Sequence, residues 1–255
     1  MASEPPSSKI KSVETLLDIV QCLHGRGEAT MEEIADELGL SVSTVHRHLV
    51  TLREHNYVTI RDGRYRLSLM FLTHGGKTRD QMAISEMIDS KVQQISERTG
   101  ERTQFMIEEN GERVYVYTYA GPSGVKTDAT IGKRGPLHVS AAGKSILANL
   151  PQERINAILD EISFESVARN TIADRETLKA ELAAVRRLGY AYNDEESTEG
   201  LRAVGVPIQH DDGSVFGAIS VSAPNFRLQD DYFHKELPEL LLGAANEIEL
   251  ILRYS

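Results

Sequence analysis

The residue types most able to do covalent chemistry in this sequence lie between Ser140 and Ser145. Ser140 and Lys144 stand four residues apart, so on a helix they share one face, which is the arrangement of a serine nucleophile with a lysine base. Gly143-Lys144-Ser145 also matches the end of a phosphate-binding loop, but that loop needs glycine at position 138, where the sequence has histidine. No oxyanion or deacylation group accompanies the pair. We therefore expect no catalytic residues and no enzyme activity, with Lys144 capping a helix or pairing with an acid.

Metal and redox chemistry have no better support. His210-Asp211-Asp212 precedes Gly213, and Asp-Gly is the ordinary sequence of a hairpin turn. The single cysteine, Cys22, excludes an intrachain disulfide and lies in an apolar helical pattern typical of a core residue. The sequence therefore predicts no metal site and no cofactor.

Side chains suited to DNA recognition cluster between residues 41 and 54. At about 100° per residue, one side of a helix over this stretch would carry Val42, Val45, Leu49 and Leu52. The opposite side carries hydroxyl groups and one arginine, with His46 and His48 at its two borders, and such groups suit base edges and phosphates of the major groove. We expect DNA contacts from Ser41, Ser43, Thr44, His46, Arg47 and Thr51. The alternative is a solvated face on an ordinary helix.

A hairpin follows this helix. Asp62-Gly63 predicts a two-residue type I′ turn, which pairs Arg61 with Arg64 and Thr59 with Arg66 on one face. Three arginines on one face repel one another, so a purely structural purpose is hard to see. We expect Arg61, Arg64 and Arg66 to contact the DNA backbone or minor groove.

Two helices and a turn precede the recognition helix. Ser12 is expected to cap the first helix, whose apolar face would hold Val13, Leu16, Leu17, Val20 and Leu23. Thr30 begins the second helix in a capping box with Glu33, and we expect Thr30 to lie near a DNA phosphate. Gly39-Leu40-Ser41 is the tight turn of a helix-turn-helix unit. With the hairpin, the order of elements predicts a winged helix.

The net charge of −10 is compatible with DNA binding because it is unevenly distributed. Residues 1–80 hold ten Lys and Arg against eleven Asp and Glu, whereas residues 81–255 hold eighteen against twenty-seven. Residues 41–66 carry five arginines against two acids. Because charges more than about 10 Å away are largely screened at ordinary salt, the local positive patch governs phosphate binding.

The chain divides by pattern into four segments. We expect a disordered lead over 1–8, a winged helix over 9–68, a linker with a long connecting helix over 69–99, with the helix itself at 77–99, and a second domain over 100–255. From Thr103 onward, strands with Asn-Gly and Asp-Gly turns alternate with helices, which predicts an α+β domain with an antiparallel sheet. The start of the sequence lacks an apolar signal segment, and no apolar run reaches the roughly 18 residues of a membrane span. We expect a cytoplasmic protein without membrane contact.

Three stretches together resemble the IclR-type transcriptional regulators. They are SVETLLDIVQCLHG with the winged helix, GKRGPLHVSAAGKSILANLP at 132–151, and GYAYNDEESTEGLRAVGVPIQHDDGSVFGAISVSAPNFR at 189–227. The resemblance covers nearly the whole chain from about residue 9. It implies a GAF-like effector domain after the linker helix, assembly as a homodimer or homotetramer, and regulation of a catabolic operon by a small metabolite, an organic or sugar acid. The implied partners are double-stranded operator DNA and that small-molecule effector.

The family's ligand pocket implies effector-binding positions in this sequence. Carried over position by position, they are Ala141, Ala142, Asn193, Leu201, Ala203, Ser220 and Ser222. The resemblance places Asn193 where relatives often carry an acid, and Ala203 where some carry cysteine. An amide in place of a carboxylate removes a negative charge and adds a donor, so position 193 would tolerate a more anionic effector. Ser220 and Ser222 alternate on a strand and so share a face, although they could instead bond only within the sheet. His138, near the implied pocket, is expected to be a structural histidine with its hydrogen bonds satisfied.

Two other classes of function remain as alternatives. The second domain could turn over its ligand, which would make the chain an enzyme with a fused winged helix. The winged helix could instead bind a protein through the acidic stretch 28–38, which has five acids and no base.

Overall fold

The computed structural model describes residues 9–125 and 129–254, which form two compact units divided between Thr78 and Arg79. The predicted lead over 1–8 lies outside the described residues. Among the residues that are described, no helix is both long and apolar enough to cross a membrane.

The N-terminal unit is a winged helix. Its elements are α1 (Lys11–Arg26), α2 (Met31–Leu38), α3 (Val42–Glu54), β1 (Val58–Arg61), β2 (Arg64–Leu67) and α4 (Met70–Asp80). The predicted hairpin register is confirmed, including Arg61 opposite Arg64 and Thr59 opposite Arg66. Asp62 and Gly63 both have positive φ, as a type I′ turn requires. The core contains Ile19, Leu23, Ile34, Val45, Leu49, Leu52, Val58 and Tyr65.

Three expectations about α1 and α3 are wrong. Ser12 does not cap α1, because Ile10 occupies the cap position and its carbonyl accepts hydrogen bonds from Val13 and Glu14. The buried side of α1 runs through Ile19, Cys22 and Leu23, which leaves Val13 and Leu17 half exposed. Val42, at the first position of α3, is also exposed rather than in the core.

The predicted single helix over 77–99 is also wrong. The chain forms α4 up to Asp80 and then α5 (Ser85–Thr99), and Gly75 and Gly76 lie inside α4 rather than breaking it. Ile84 separates the two helices with φ 50° and ψ 27°, a left-handed conformation that no helix can continue through. Met82, Ile84 and Met87 pack against the larger core of the second unit, and this packing favours the break over a regular helix.

The C-terminal unit is built on a six-stranded antiparallel sheet in the order β5-β4-β3-β8-β7-β6. The strands are β3 (Arg102–Glu109), β4 (Glu112–Ala120), β5 (Arg134–Pro136), β6 (Ala191–Asp194), β7 (Leu201–Gln209) and β8 (Val215–Pro224). Asn110 and Gly111 turn between β3 and β4 with positive φ, as the sequence predicts. The α+β class is therefore confirmed.

Helices cover both faces of this sheet. On one face α5 and α9 (Leu237–Leu252) pack on residues such as Phe105 and Ile219. On the other face lie α6 (Ala141–Asn149), α7 (Gln152–Glu161) and α8 (Arg175–Leu188), which pack around Met106 and Ala218. A single 3₁₀ turn, Leu137–Val139, leads into α6.

The first turn of α6 lies directly against the middle of β7. A Cβ added at Gly205 would fall 2.5 Å from backbone atoms of Ala141 and Ala142, so only glycine allows this approach. The Ser145 hydroxyl donates a hydrogen bond to the Gly205 carbonyl at 2.7 Å and fixes the contact. The start of α6 is thereby held over the strands β7 and β8.

We expect Gly205→Ala to lower the free energy of unfolding by about 1–3 kcal/mol, because its Cβ would overlap the backbone of α6. Gly243→Ala in α9 is the matched control. A Cβ there would meet nothing within 4 Å, and alanine is the better helix former by about 1 kcal/mol. Urea and thermal unfolding of the full chain measure both effects, and equal losses in the two variants would contradict the contact.

Candidate DNA-contacting surface and effector cavity

The N-terminal end of α3 carries three of the predicted DNA-contacting residues in one polar group. The Ser41 hydroxyl accepts a hydrogen bond from the Thr44 amide at 3.2 Å and so caps α3. It also lies 3.0 Å from the Ser43 hydroxyl and 2.9 Å from the Thr44 hydroxyl. The cap holds these groups at a helix N-terminus, where backbone amides and the helix dipole favour a phosphate.

Arg47 lies on the exposed face of the same helix, beside His46 and one turn before Thr51. The Thr51 hydroxyl donates to the Arg47 carbonyl at 3.1 Å, a bond within the helix. Within the part of the chain that the structure describes, the Arg47 guanidinium has no hydrogen bond or ion pair. Its five N–H donors are thus available to a base edge or a phosphate.

The wing arginines have partners that the sequence did not suggest. Arg64 forms ion pairs with Glu28 at 3.0 Å and Glu33 at 2.8 Å, and Arg66 lies 3.5 Å from Glu28. The expectation that these arginines lack a structural purpose is therefore wrong, because they join the wing to the start of α2. Arg61 is the most exposed of the three, and its guanidinium lies 3.7 Å from the Asp62 carboxylate.

Thr30 forms the predicted capping box. Its hydroxyl accepts from the Glu33 amide at 3.3 Å, and the Glu33 carboxylate accepts from the Thr30 amide at 2.8 Å. The hydrogen bond from Thr30 and then the Arg64 guanidinium lower the pKa of Glu33. The Thr30 side chain is thus committed to helix capping while it remains half-buried at the surface.

A separate cavity of about 490 Å³ opens in the C-terminal unit. Its floor is the face of β3, β7 and β8 that meets α6, and its other wall is the 3₁₀ turn with the first residues of α6. All seven predicted effector-binding residues line it: Ala141, Ala142, Asn193, Leu201, Ala203, Ser220 and Ser222. Strand pairing explains part of this grouping, because Ser222 stands opposite Ala203 and Ser220 opposite Gly205.

Some polar side chains of the cavity have hydrogen-bond partners among the described residues, and others do not. The Asn193 amide donates to the Val139 carbonyl at 2.7 Å, and its oxygen accepts from the Glu196 amide at 3.1 Å. An acid at this position could not donate to Val139, so the amide also holds the cavity wall. The Ser220 hydroxyl donates to Gln104 at 3.3 Å, whereas the buried Ser222 hydroxyl has no partner among the described residues.

The sequence did not correctly predict two residues of the cavity, His138 and Arg113. His138 is buried with 1% exposure, yet neither ring nitrogen has a hydrogen-bond partner in the described chain, so the expectation of a satisfied histidine is wrong. Burial, and then the charges of Arg113 and Lys144, lower the pKa of His138. Arg113 reaches the cavity from β4, where alternation could have placed it on the same sheet face as Tyr115.

Lys144 is fully buried behind the cavity, and it forms ion pairs with Glu181 at 2.9 Å and Glu196 at 2.7 Å. The expectation that it pairs with an acid is confirmed. Burial raises the pKa of Glu196, and the Lys144 ammonium opposes that rise. Two carboxylates thus engage the ammonium group of Lys144, one helical turn from Ser140.

Two family models match the chain. The model described as the IclR helix-turn-helix domain matches residues 12–61, and the one described as the bacterial transcriptional regulator IclR C-terminal matches residues 76–250. Together they span most of the described residues of both units.

Individual relatives agree with these models. The probable HTH-type transcriptional regulator ArcR of Halobacterium salinarum is 34% identical over 248 residues, covering 96% of this chain and 94% of that protein. The HTH-type transcriptional regulator XynR of Escherichia coli is 32% identical, covering 87% of this chain and 89% of that protein. The crystal structure of the Thermotoga maritima IclR is 29% identical, covers 95% of this chain and 97% of its own, and has a TM-score of 0.77. The chain therefore belongs to the IclR family of DNA-binding transcriptional regulators, in which the C-terminal domain binds an effector.

Proposed function

We propose that the protein controls a catabolic operon in response to an organic or sugar acid bound in the cavity of the C-terminal unit. The observation that carries this proposal is the cavity itself, where the seven positions expected from the family meet around about 490 Å³. That volume suits a small organic molecule, since ligand pockets commonly span about 300–1,000 Å³. Arg113 lines the cavity and has no carboxylate partner among the described residues, which favours an anion.

The DNA-binding part of the proposal concerns which residues make the contacts. We infer that Ser41, Ser43, Thr44, His46, Arg47 and Thr51 read the major groove or its edges, with Thr30 near a phosphate. The exposed Arg47 guanidinium and the capped N-terminus of α3 support this assignment. Arg61, Arg64 and Arg66 contact the DNA backbone or minor groove, and Arg64 and Arg66 must exchange carboxylates for phosphates to do so.

We further propose that the protein binds a palindromic operator as a homodimer or homotetramer. Ile10, Val13 and Leu17 of the N-terminal unit are 66%, 50% and 54% exposed, and such apolar side chains favour cover by a second copy. For regulation, the effector must bind one of two DNA-binding states more tightly than the other, because equal affinity would shift nothing.

We expect Arg47→Ala to weaken binding to the operator by about 1–3 kcal/mol, because a bidentate contact to a base edge would be lost. Arg53→Ala is the control, since Arg53 is also exposed on α3 but lies outside the predicted surface. Fluorescence anisotropy with the DNA upstream of the protein's own gene, compared with a scrambled duplex, measures the effect. An unchanged operator affinity in Arg47→Ala would show that α3 does not contact the operator through Arg47.

A second DNA prediction concerns the wing. We expect Arg61→Ala to weaken all duplexes about equally and to reduce the slope of log affinity against log salt by about one unit, because one phosphate contact disappears. Affinities for the operator and the scrambled duplex at several salt concentrations test this. If Arg61→Ala lost affinity for the operator but not for the scrambled duplex, Arg61 would instead contact a base.

For the cavity, we expect Ser222→Ala to weaken effector binding while leaving the free protein as stable as before, because this hydroxyl has no partner among the residues that the structure describes. Thr103→Val is the matched control: the Thr103 hydroxyl on β3 is equally buried and unpartnered, but it does not line the cavity. A thermal-shift screen with organic, sugar and aromatic acids provides the measurement. A ligand-induced shift that survives in Ser222→Ala would place the effector elsewhere.

A further inference from the structure

His138 presents a hydrogen-bonding problem that the fold leaves open. The side chain is 1% exposed, and neither Nδ1 nor Nε2 has a partner among the residues described. A neutral imidazole offers one donor and one acceptor, and leaving such groups buried and unpaired destabilises the folded protein. The ring packs against Phe164 with a centroid distance of 5.6 Å. The ring therefore has an apolar contact, whereas its two nitrogens have no hydrogen-bond partner among the described residues.

Three residues that carry unpartnered buried polar atoms line the same cavity. His138 lines the cavity from the 3₁₀ turn, and the unpartnered Ser222 hydroxyl lines it from β8. Arg113, which also lines it, has a buried Nε without a partner in the described chain. Four unpartnered atoms on three residues of one cavity wall indicate a ligand that supplies the missing partners.

Arg113 brings positive charge to the same side as His138. One of its terminal nitrogens donates to the Pro136 carbonyl, two residues before His138, and its guanidinium lies 5.6 Å from the centre of the Tyr115 ring. It has no carboxylate partner in the described residues, unlike Arg202, which is paired with Asp194 at 2.6 Å. A cation without a carboxylate beside an unpaired imidazole is suited to an anionic group.

We propose that His138 is an effector-contacting residue, and that His138 and Arg113 together receive the carboxylate of a small hydroxy or oxo acid. The second polar group of that acid bonds the Ser222 hydroxyl, and its carbon skeleton lies against Met106, Ala141 and Ala203. This inference rests on the proposed function, because it takes the cavity to be the effector site, and it names the group that selects the effector.

The test uses His138→Phe, which keeps a ring against Phe164 but removes both nitrogens. Lactate, gluconate and 4-hydroxybenzoate serve as probes, each beside its neutral amide, in thermal-shift and calorimetric titrations of the full chain. We expect at least one acid to bind the wild type, its amide to bind weakly, and His138→Phe to lose at least tenfold in affinity. The free variant should keep its Tm or gain about 2–4 °C, because two unpaired buried nitrogens are gone.

Two further variants guard against misfolding and overpacking. His138→Leu repeats the loss of both nitrogens with a smaller side chain. His138→Asn restores one donor and one acceptor, and we expect it to recover part of the affinity that the apolar variants lose. A merely structural histidine would give the reverse pattern, with Tm lowered in all three variants and acid affinity unchanged once folding is restored by cooling.

The pH dependence of acid binding gives a second readout. Burial lowers the pKa of His138 most, and the charges of Arg113 on β4 and Lys144 on α6 lower it further. The other charged residues that line the cavity are Glu165, Lys133 and Arg202. A carboxylate beside the ring raises that pKa again, so binding takes up a proton and strengthens as the pH falls from 8 to 6. The affinity of His138→Phe for the same acid should not follow this trend.

The outcomes separate this inference from the proposed function. Equal acid affinity in wild type and His138→Phe overturns the role of His138 but leaves the effector cavity in place. Binding of the amides in preference to the acids overturns the carboxylate assignment. If no probe binds and the operator is still bound selectively, the acid proposal fails while DNA binding stands.

Discussion

The close approach of α6 to β7 is the constraint on which the C-terminal unit depends. Gly205 permits it, and a Cβ at Gly143 would likewise fall 2.1 Å from the Leu137 carbonyl oxygen, so the 3₁₀ turn and α6 fold tightly together. This packing brings His138 and Ala141 over the strands that carry the cavity serines. Contact between backbone segments at Gly205 and Gly143 therefore sets where the cavity lies, and the side chains of these segments line it.

Lys144 adds an electrostatic constraint to this packing. Its ammonium joins α6 to Glu181 of α8 and to Glu196 of the loop after β6, with no exposure to solvent. Removing one member of a buried ion pair costs about 3–5 kcal/mol, because the other charge is left uncompensated. The two ion pairs therefore tie the helix that forms the cavity wall to α8 and to the loop that follows Asp194.

The sequence allowed some features to be predicted because their cause is local. Asp62-Gly63 fixes the hairpin register through turn geometry alone, and Thr30 with Glu33 forms a capping box within four residues. The cavity positions came from the family resemblance, not from spacing. The break at Ile84 and the unmet hydrogen bonds of His138 depend on tertiary packing, which periodicity does not encode. The same holds for the ion pairs that join the wing to α2.

Ile84 also has a consequence for conformational equilibria. A β-branched residue held at φ 50° stores about 1–3 kcal/mol of backbone energy, which the surrounding core must offset. That is the size of a typical coupling free energy between two ligand sites on one protein. A conformer in which Ile84 left the left-handed region would recover this backbone energy. That energy is large enough to change the ratio of two such conformers several-fold.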